Sequence, residues 1–595
     1  MGTKTHFAGY LSTGGNLTIG ESDVPFASIG KRAVFRGYIA NASSVRSMLD
    51  NNCKGELSDA ELICRAAEQW RGDLSRHVLG EYAAVVYLPD AKQLLITHDT
   101  LGIANLFYHS TRDRIYFATF LEGLLRWVSP LRLDDEYIAD HLGGNQEVGR
   151  RTPYDGVFRL LPGESLSWVA GRLSRHRAWP FAERRQTRLQ SSADYEDTMR
   201  LLIAEGVDAA IPSKGPVWCE LSGGLDSTTV LAYAARQNAG RVTACSTIYP
   251  QSTVADERIW IEHALRYYAV PWHALDGDSR LPFDRPSIGF VAEPNDRMIT
   301  QGMLELYDQA LLRGGVEVVL TGQGGDAVFL GDGAGPVYLA DMIREGRLRA
   351  LAWAVSGLVK ESPDKRSSQY WLTRYALAPI LRSWRGQVLD SYFHRSPPPV
   401  WLREDYVDRQ RVRWRRRRQH VLRAATLGGT AILERISAVV AGFTRHNNHP
   451  NPAAEFRHPL LYRPLVEFML NVPGELASSP VIDRALQRRA LAGILPEPVR
   501  TRRGKAGRGQ IFYTGLERSA FWQNRLTDSP MIVELGYVNG DRWRAAIRAA
   551  AVGHSPGIGS LLAAICLEAW LQQFMVGVNG QLGLSSRSPW PLPPV

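Results

Sequence analysis

The sequence predicts an α/β protein with two domains, and two observations carry this prediction. Residues 1–180 contain many short apolar or alternating runs separated by turn residues, which is typical of a sandwich-like α+β domain. From about residue 200, short apolar runs alternate with segments of helical spacing, which indicates a doubly wound parallel sheet with helical additions. The 595 residues suffice for two full cores, and the polar stretch 181–200 is expected to be a linker.

The composition is typical of a soluble globular protein, with 45% hydrophobic and 22% charged residues. A net charge of +10 could attract nucleic acid, but it could equally attract ATP or an acidic peptide, and we expect no nucleic-acid partner. No run of about 18 consecutive apolar residues occurs, so we expect no membrane span. The N-terminus lacks the apolar core of a signal peptide, and the five cysteines show no CxxC spacing. We therefore expect a cytoplasmic protein.

The elements of the first domain follow from its apolar runs. A helix is predicted between two of the strands, over residues 59–70, DAELICRAAEQW. The predicted strands are residues 33–39, 81–88, 93–99, 105–110 and 114–120.

The second domain is predicted to begin with alternating strands and helices. The strands are residues 217–221, 241–249 and 316–322, and the helices are residues 228–237, 256–268 and 299–313. Polar, glycine-containing loops follow the first and third of these strands. Because ligands of doubly wound sheets bind at the carboxyl ends of the strands, these two loops are the candidate site.

The loop over residues 222–227, SGGLDS, is predicted to bind phosphate. It follows a strand ending at Leu221 and opens a helix, so free N–H groups and the helix dipole favour an anion there. Adjacent glycines allow the backbone to approach a ligand closely. No Lys follows them, so this is not a Walker loop. It resembles the SGGxDS loop of ATP pyrophosphatases, which implies cleavage of ATP between the α and β phosphates and makes Asp226 a Mg²⁺ ligand.

Other segments resemble the asparagine synthetase superfamily. Residues 320–326, LTGQGGD, are similar to its second signature, while residues 455–473 and 482–507 are similar to its third. Residues 80–109, 117–125 and 160–168 resemble its N-terminal glutaminase domain, which implies an Ntn-type fold over 1–180 and an ATP pyrophosphatase domain over 200–595.

The resemblance implies a set of site residues. Asp226 and Asp326 would hold Mg²⁺, and Lys505 would contact the α-phosphate and the acyl-adenylate. Lys505 is the only Lys after Lys365 in a chain with eight lysines among 70 basic residues, which favours a specific need for an ammonium group. The implied ATP contacts are Leu221, Ser222, Gly223, Gly224, Asp226, Ser227, Thr247, Ile248, Gly322, Gln323 and Lys505.

The sequence also departs from the family. A glutaminase of this type needs an N-terminal Cys, whereas the sequence begins Met-Gly-Thr, so we expect glutamine hydrolysis to be absent. Gln323 stands where asparagine synthetases have Glu and β-lactam synthetases have Tyr, and a neutral amide cannot act as a general base. Tyr462 stands where the family often has Asp, and Gly507 alters the end of the motif that carries Lys505.

A helical insertion rich in Trp and Arg is expected at about 335–450. Its basic run, RQRVRWRRRRQHVLR at 409–423, is either an RNA-binding segment or a solvated helix face. The segment HNNHPNP at 446–452 is interpreted as a loop of the acceptor-substrate pocket rather than a metal site. The substrate-loop candidates are His446, His449, Arg457 and Tyr462.

The resemblance as a whole favours an ATP- and Mg²⁺-dependent macrolactam synthetase of the lasso peptide type. Such an enzyme would adenylate an Asp or Glu side chain of a core peptide and close a ring onto the N-terminal amine, with a leader peptidase and a precursor-recognition protein as partners. One alternative is a β-lactam-type or asparagine-type synthetase acting on a small amino acid. An alternative of another class is an RNA-modifying ATP pyrophosphatase.

Overall fold

The computed structural model describes residues 6–15, 17–22, 33–49, 57–125, 127–128, 131–143, 149–182, 189–238, 240–285, 290–331, 335–361, 365–385, 398–415, 423–448, 452–478, 482–504, 507, 509–554 and 557–580. The first part of the chain forms two five-stranded antiparallel sheets. Their strands are β1 (Phe7–Ser12), β2 (Leu17–Ser22), β3 (Ala33–Ile39), β4 (Gly80–Leu88), β5 (Gln93–His98), β6 (Phe107–Ser110), β7 (Arg114–Ala118), β8 (Phe158–Arg159), β9 (Glu164–Val169) and β10 (Arg172–Arg177).

The strand orders are β2-β1-β7-β6-β8 and β10-β9-β5-β4-β3. Apolar side chains of both sheets, among them Phe7, Val85, Phe117 and Trp168, form one buried cluster, so the sheets pack face to face. Helices cover the outer faces: α1 (Ala42–Met48), α2 (Asp59–Trp70), α3 (Leu74–His77), α4 (Leu121–Leu125) and α5 (Asp135–Leu142). This is the expected glutaminase-like α+β sandwich.

The second part of the chain is built on a parallel sheet of the order β13-β12-β11-β14-β15. Its strands are β11 (Val217–Glu220), β12 (Val242–Ile248), β13 (Trp272–Asp276), β14 (Val318–Leu320) and β15 (Glu455–Arg457). The flanking helices are α6 (Ser192–Ala210), α7 (Leu225–Gln237), α8 (Arg258–Tyr268), α9 (Arg297–Arg313) and α10 (Gly325–Val328). The sheet confirms the predicted doubly wound architecture and adds β13 and β15, which we did not predict.

The rest of the second part is helical. Its helices are α11 (Tyr338–Arg344), α12 (Leu348–Glu361), α13 (Ser368–Trp371), α14 (Ala378–Trp384), α15 (Glu404–Arg415), α16 (Leu427–His446), α17 (Arg463–Asn471), α18 (Gly474–Ala477), α19 (Ala485–Ala490), α20 (Glu497–Thr501), α21 (Gly509–Arg518), α22 (Ala520–Thr527), α23 (Met531–Glu534), α24 (Gly540–Ala551) and α25 (Ile558–Gly580). Of the basic run 409–423, residues 416–422 lie outside the described residues.

In the part of the chain that the structure describes, two helices are long and apolar enough to cross a membrane when judged by length and composition alone. They are α16 and the part of α25 from Ile558 to Met575, and 72% and 56% of their apolar windows are buried inside the protein. Both helices contribute to hydrophobic cores, α16 beside the parallel sheet and α25 against the first sheet. Such burial is typical of core helices, so their apolar character is explained by packing.

Candidate active site

The two glycine-containing loops meet at the point where the strand order of the parallel sheet reverses. Strand β11 lies between β12, which follows it in the chain, and β14, which comes much later. The loop 222–227 leaves β11 and opens α7, while the loop 321–326 leaves β14 and opens α10. A crevice at such a switch point is where doubly wound folds bind ligands.

Glycines are required where these loops touch. A Cβ on Gly322 would lie 2.5 Å from the Ser227 backbone nitrogen, and one on Gly325 would lie 2.4 Å from the Asp226 carboxyl carbon. Gly223 and Gly324 have φ of +66° and +90°, in the left-handed region that residues with a side chain rarely adopt. The first turn of α7 has no side-chain cap. The backbone N–H groups of this turn are therefore available to an anion, and they fit the phosphates of ATP.

The serines of the first loop brace its shape. Ser227 Oγ accepts a hydrogen bond from the Ser222 backbone N–H at 3.2 Å and lies 3.1 Å from Ser222 Oγ. The strand before the loop is buried at Leu221, whose carbonyl accepts a hydrogen bond from Ser246 Oγ at 2.6 Å. Thr247 and Ile248 end β12, the strand next to β11, and are partly exposed. The structure therefore places these two residues on the same edge of the sheet as the first loop.

The two predicted metal-binding carboxylates are brought together by an arginine that we did not predict. Arg484 Nη1 lies 3.0 Å from Asp226 Oδ2 and 3.0 Å from Asp326 Oδ1. The Arg484 side chain is 5% exposed, against 9% for Asp226 and 39% for Asp326. Two carboxylates that share one cation are also a suitable donor pair for Mg²⁺. The described residues contain no cluster of three or more His, Cys, Asp or Glu that could hold a metal.

Arg484 is fixed by a dense set of contacts. Its Nε lies 3.0 Å from Asp483 Oδ2, and Gln487 Nε2 donates to Asp226 Oδ1 at 2.9 Å. Arg484 has φ of +54°, a strained conformation for a residue with a side chain. Burial opposes its charge, but the carboxylates of Asp226 and Asp326 outweigh that effect and raise the pKa of Arg484. It therefore stays charged between the two carboxylates.

The segment that carries Lys505 is anchored on both sides. Before it, Arg502 donates from Nη1 to the Gly223 carbonyl at 3.2 Å and from Nη2 to Glu257 at 2.6 Å. After it, the Gly507 backbone N–H donates to the Val254 carbonyl at 3.2 Å. Lys505 itself lies outside the described residues.

Gln323 is the exposed residue of the second loop. Its backbone N–H donates to Thr321 Oγ1 at 3.2 Å, which holds the turn without using the amide side chain. A neutral amide is not basic, so Gln323 can orient a ligand through hydrogen bonds but cannot act as a general base.

Three of the four substrate-loop candidates lie among the described residues. His446 ends α16 and pairs with Asp296 through Nδ1 at 2.7 Å. Arg457 is buried, donates to the Ala210 carbonyl at 2.9 Å and stacks over the Tyr38 ring of the first domain. These side chains are committed to contacts away from the glycine loops.

The third of them, Tyr462, precedes α17 and packs against Gly206 of α6. Burial, followed by the nearby Glu205 carboxylate, raises the pKa of Tyr462 to about 12. The fourth candidate, His449, lies outside the described residues.

The described cysteines do not offer a nucleophile. Cys64, Cys219, Cys245 and Cys566 are all buried, and none of them is in a disulfide bond. Burial raises the pKa of Cys219 and Cys566, and it raises the pKa of Cys245 to about 12, so these thiols stay protonated.

A cavity of about 370 Å³ lies beyond α10, between α6 and the helical additions. Its wall includes Leu330, four residues after Asp326, together with Tyr338 of α11 and Arg435 of α16. Residues of α18, such as Glu475, close another side. This volume is in the range of pockets that hold drug-sized ligands.

A parallel sheet with two glycine loops and paired carboxylates at its switch point, next to an antiparallel two-sheet sandwich, defines a class of nucleotide-dependent α/β enzymes. Residues 198–572 match the family described as asparagine synthase, and residues 19–179 match the glutamine amidotransferase domain. The chain belongs to the asparagine synthase family, whose members are ATP-dependent amide ligases.

Named relatives are distant. Asparagine synthetase [glutamine-hydrolyzing] 3 of Bacillus subtilis is 22% identical, over 78% of this chain and 73% of its own length. Amidase chry2 of Gibberella zeae is 24% identical over 53% of this chain, and the chain spans about half, 49%, of that relative. The solved structure of glutamine phosphoribosylpyrophosphate amidotransferase from B. subtilis matches 55% of this chain and 71% of its own chain at 12% identity. The TM-score of this match is 0.21, which is too low to support a conclusion.

Sequence reasoning missed Arg484, Gln487 and Arg502. A signal for the first existed, because Arg484 lies near the start of the segment 482–507, which is similar to the family's third signature. Gln487 and Arg502 carried no such signal, since nothing in the sequence ties them to Asp226 or Gly223.

Proposed function

We propose that the protein is an ATP-dependent macrolactam synthetase of the lasso peptide type. A side-chain carboxylate of an Asp or Glu in a core peptide attacks the α-phosphorus of ATP, and pyrophosphate leaves. The N-terminal amine of the same peptide then attacks the acyl carbon, the amide bond forms, and AMP departs with the acyl oxygen. The enzyme would act in the cytoplasm, with a leader peptidase and a precursor-recognition protein as partners.

The residues of the site support the first half of this reaction. Asp226 and Asp326 would hold Mg²⁺, which neutralises phosphate charge when bound. The first turn of α7 presents backbone N–H groups to the phosphates. Arg502, three residues before Lys505, donates to the Gly223 carbonyl, and the Lys505 ammonium would offset charge that grows on the α-phosphorus.

The observation that carries the proposal for a peptide acceptor is the 370 Å³ cavity beside Leu330. It is lined by helices that belong to the additions after the second loop, and polar groups such as Glu475 and Arg435 alternate there with apolar ones. A cavity of this size and mixed polarity suits several residues of a peptide better than a single small amino acid.

The test is a reconstitution with purified protein, ATP, Mg²⁺ and the peptide encoded beside its gene. We expect a product lighter than the peptide by one water, together with one AMP per ring, and an Asp226→Asn protein should give neither. An unchanged peptide mass in the presence of AMP release would exclude ring closure.

A second candidate is an asparagine-type synthetase with a small acceptor. The match to the B. subtilis asparagine synthetase over 73% of that protein favours it. Amide formation on a free amino acid with ammonia, in the absence of any peptide, would decide for this candidate.

A further inference from the structure

A second cavity, of about 80 Å³, lies between the two domains and away from the glycine loops. The first domain contributes Arg36 from β3, and the second contributes Arg297 from the start of α9. Neither arginine belongs to the site described above.

Within the described residues, neither guanidinium has a carboxylate within the 4.0 Å of an ion pair. The acids on the same wall are otherwise engaged. Glu81 accepts from the His458 backbone N–H at 2.6 Å and lies 3.0 Å from its Nδ1, and Glu455 pairs with Arg457 at 3.1 Å. These carboxylates attract Arg36 only from a distance.

Arg297 faces a similar environment on the opposite domain. Asp308 is the acid on its wall of the cavity, and the nearby Asp296 is paired with His446 at 2.7 Å. Burial lowers the pKa of Arg36 and of Arg297, which means that the surrounding carboxylates do not compensate for the loss of water around either charge. Burial also raises the pKa of Asp308, so its negative charge is itself disfavoured.

We propose that this cavity binds a small oxyanion, with phosphate or carboxylate oxygens, between Arg36 and Arg297. A guanidinium presents a planar fork of donors that matches such oxygens. A single buried water needs about 10–15 Å³, so 80 Å³ leaves room for an anion of a few heavy atoms but not for a nucleotide. The anion would join the two domains, because each arginine comes from a different one.

The experiment is thermal unfolding of the full-length protein at constant ionic strength, with inorganic phosphate or succinate titrated against chloride. A ligand that binds only the folded state raises Tm in a saturable way. We expect this rise in the unmodified protein, and at least a tenfold weaker response in Arg36→Gln and in Arg297→Gln. The matched control is Arg266→Gln, an exposed helical arginine, which should respond like the unmodified protein.

A response to phosphate alone identifies a phosphate site, a response to succinate alone identifies a carboxylate site, and a response to both identifies a general oxyanion site. Phosphate bound instead at the glycine loops would give a rise that survives in both cavity variants, and that result would overturn the proposal. If phosphate and succinate changed Tm no more than chloride does at the same ionic strength, the proposal would be overturned as well. If the Gln variants fail to fold, Arg36→Lys and Arg297→Lys keep the charge and should still weaken the response, because they lose the fork.

Discussion

Replacing Arg484 with Gln tests whether the paired carboxylates form a cation site. The guanidinium contacts Asp226 and Asp326 at 3.0 Å each and is almost fully buried. Removing one partner of a buried ion pair costs about 3–5 kcal/mol because it leaves an uncompensated charge. Gln487 still donates to Asp226, and Asp326 is 39% exposed, so we expect the lower end, about 3 kcal/mol.

Mg²⁺ should reverse most of this loss. Without the guanidinium, the two carboxylates can accept a divalent cation, and a ligand at a hundredfold excess over its Kd stabilises the folded state by about 2.7 kcal/mol. In the unmodified protein Arg484 competes for the same oxygens, so the response to Mg²⁺ should be smaller. The assay is thermal or urea unfolding with and without Mg²⁺, in the absence of ATP.

The matched control is Arg488→Gln. Arg488 is also buried and lies 3.0 Å from Asp483, but it does not contact Asp226 or Asp326. It should destabilise the protein without creating a response to Mg²⁺. If Mg²⁺ stabilised Arg484→Gln and Arg488→Gln equally, or stabilised neither of them, a cation site at Asp226 and Asp326 would be refuted.

Three further predictions concern the reaction. Lys505→Ala should abolish product formation while ATP binding, measured by calorimetry, is largely kept. The control Lys360→Ala changes an exposed lysine of α12 and should retain activity. Ring formation by the Lys505→Ala protein would disprove the assigned role. Asp226→Asn should remove Mg²⁺-dependent pyrophosphate release, and normal release would place the metal elsewhere. Glutamine should yield no ammonia in a coupled assay, because burial keeps the thiols of Cys219, Cys245 and Cys566 protonated, and ammonia release would contradict this.

The sequence predicted those elements that have a strong local signal. Helix α2 and strand β3 match the predicted ranges residue for residue. In α2 the reason is visible, because Ser58 and Glu61 form a capping box that fixes the start. Strand β15 has three residues, EFR, and too few for a periodic pattern. Its extended conformation is set by pairing with β14, and the paired residues Leu320 and Arg457 are 137 positions apart in the chain.

In the candidate site, too, the features with a local sequence pattern were predictable and those that depend on distant contacts were not. The loops 222–227 and 321–326 were predictable because glycines and an acid after a strand form a local pattern with a chemical meaning. The bridge by Arg484 was not, because it joins residues 258 positions apart and depends on a positive φ at a residue whose side chain gives no sign of it. The sequence also did not reveal that Arg457 donates to the Ala210 carbonyl or that Tyr462 lies beside Glu205, because both contacts join residues far apart in the chain.

The two domains share a buried apolar core and a buried ion pair. Side chains of the first sheet, such as Phe107, share one apolar core with Trp570 of α25, at the far end of the chain. Beside that core, Arg159 Nη2 lies 2.8 Å from both carboxylate oxygens of Glu293, which has no exposed surface and also accepts a hydrogen bond from Asn448 at 2.7 Å. Loss of the first domain would expose this core and leave Glu293 without Arg159, so we expect the second domain to be less stable by itself.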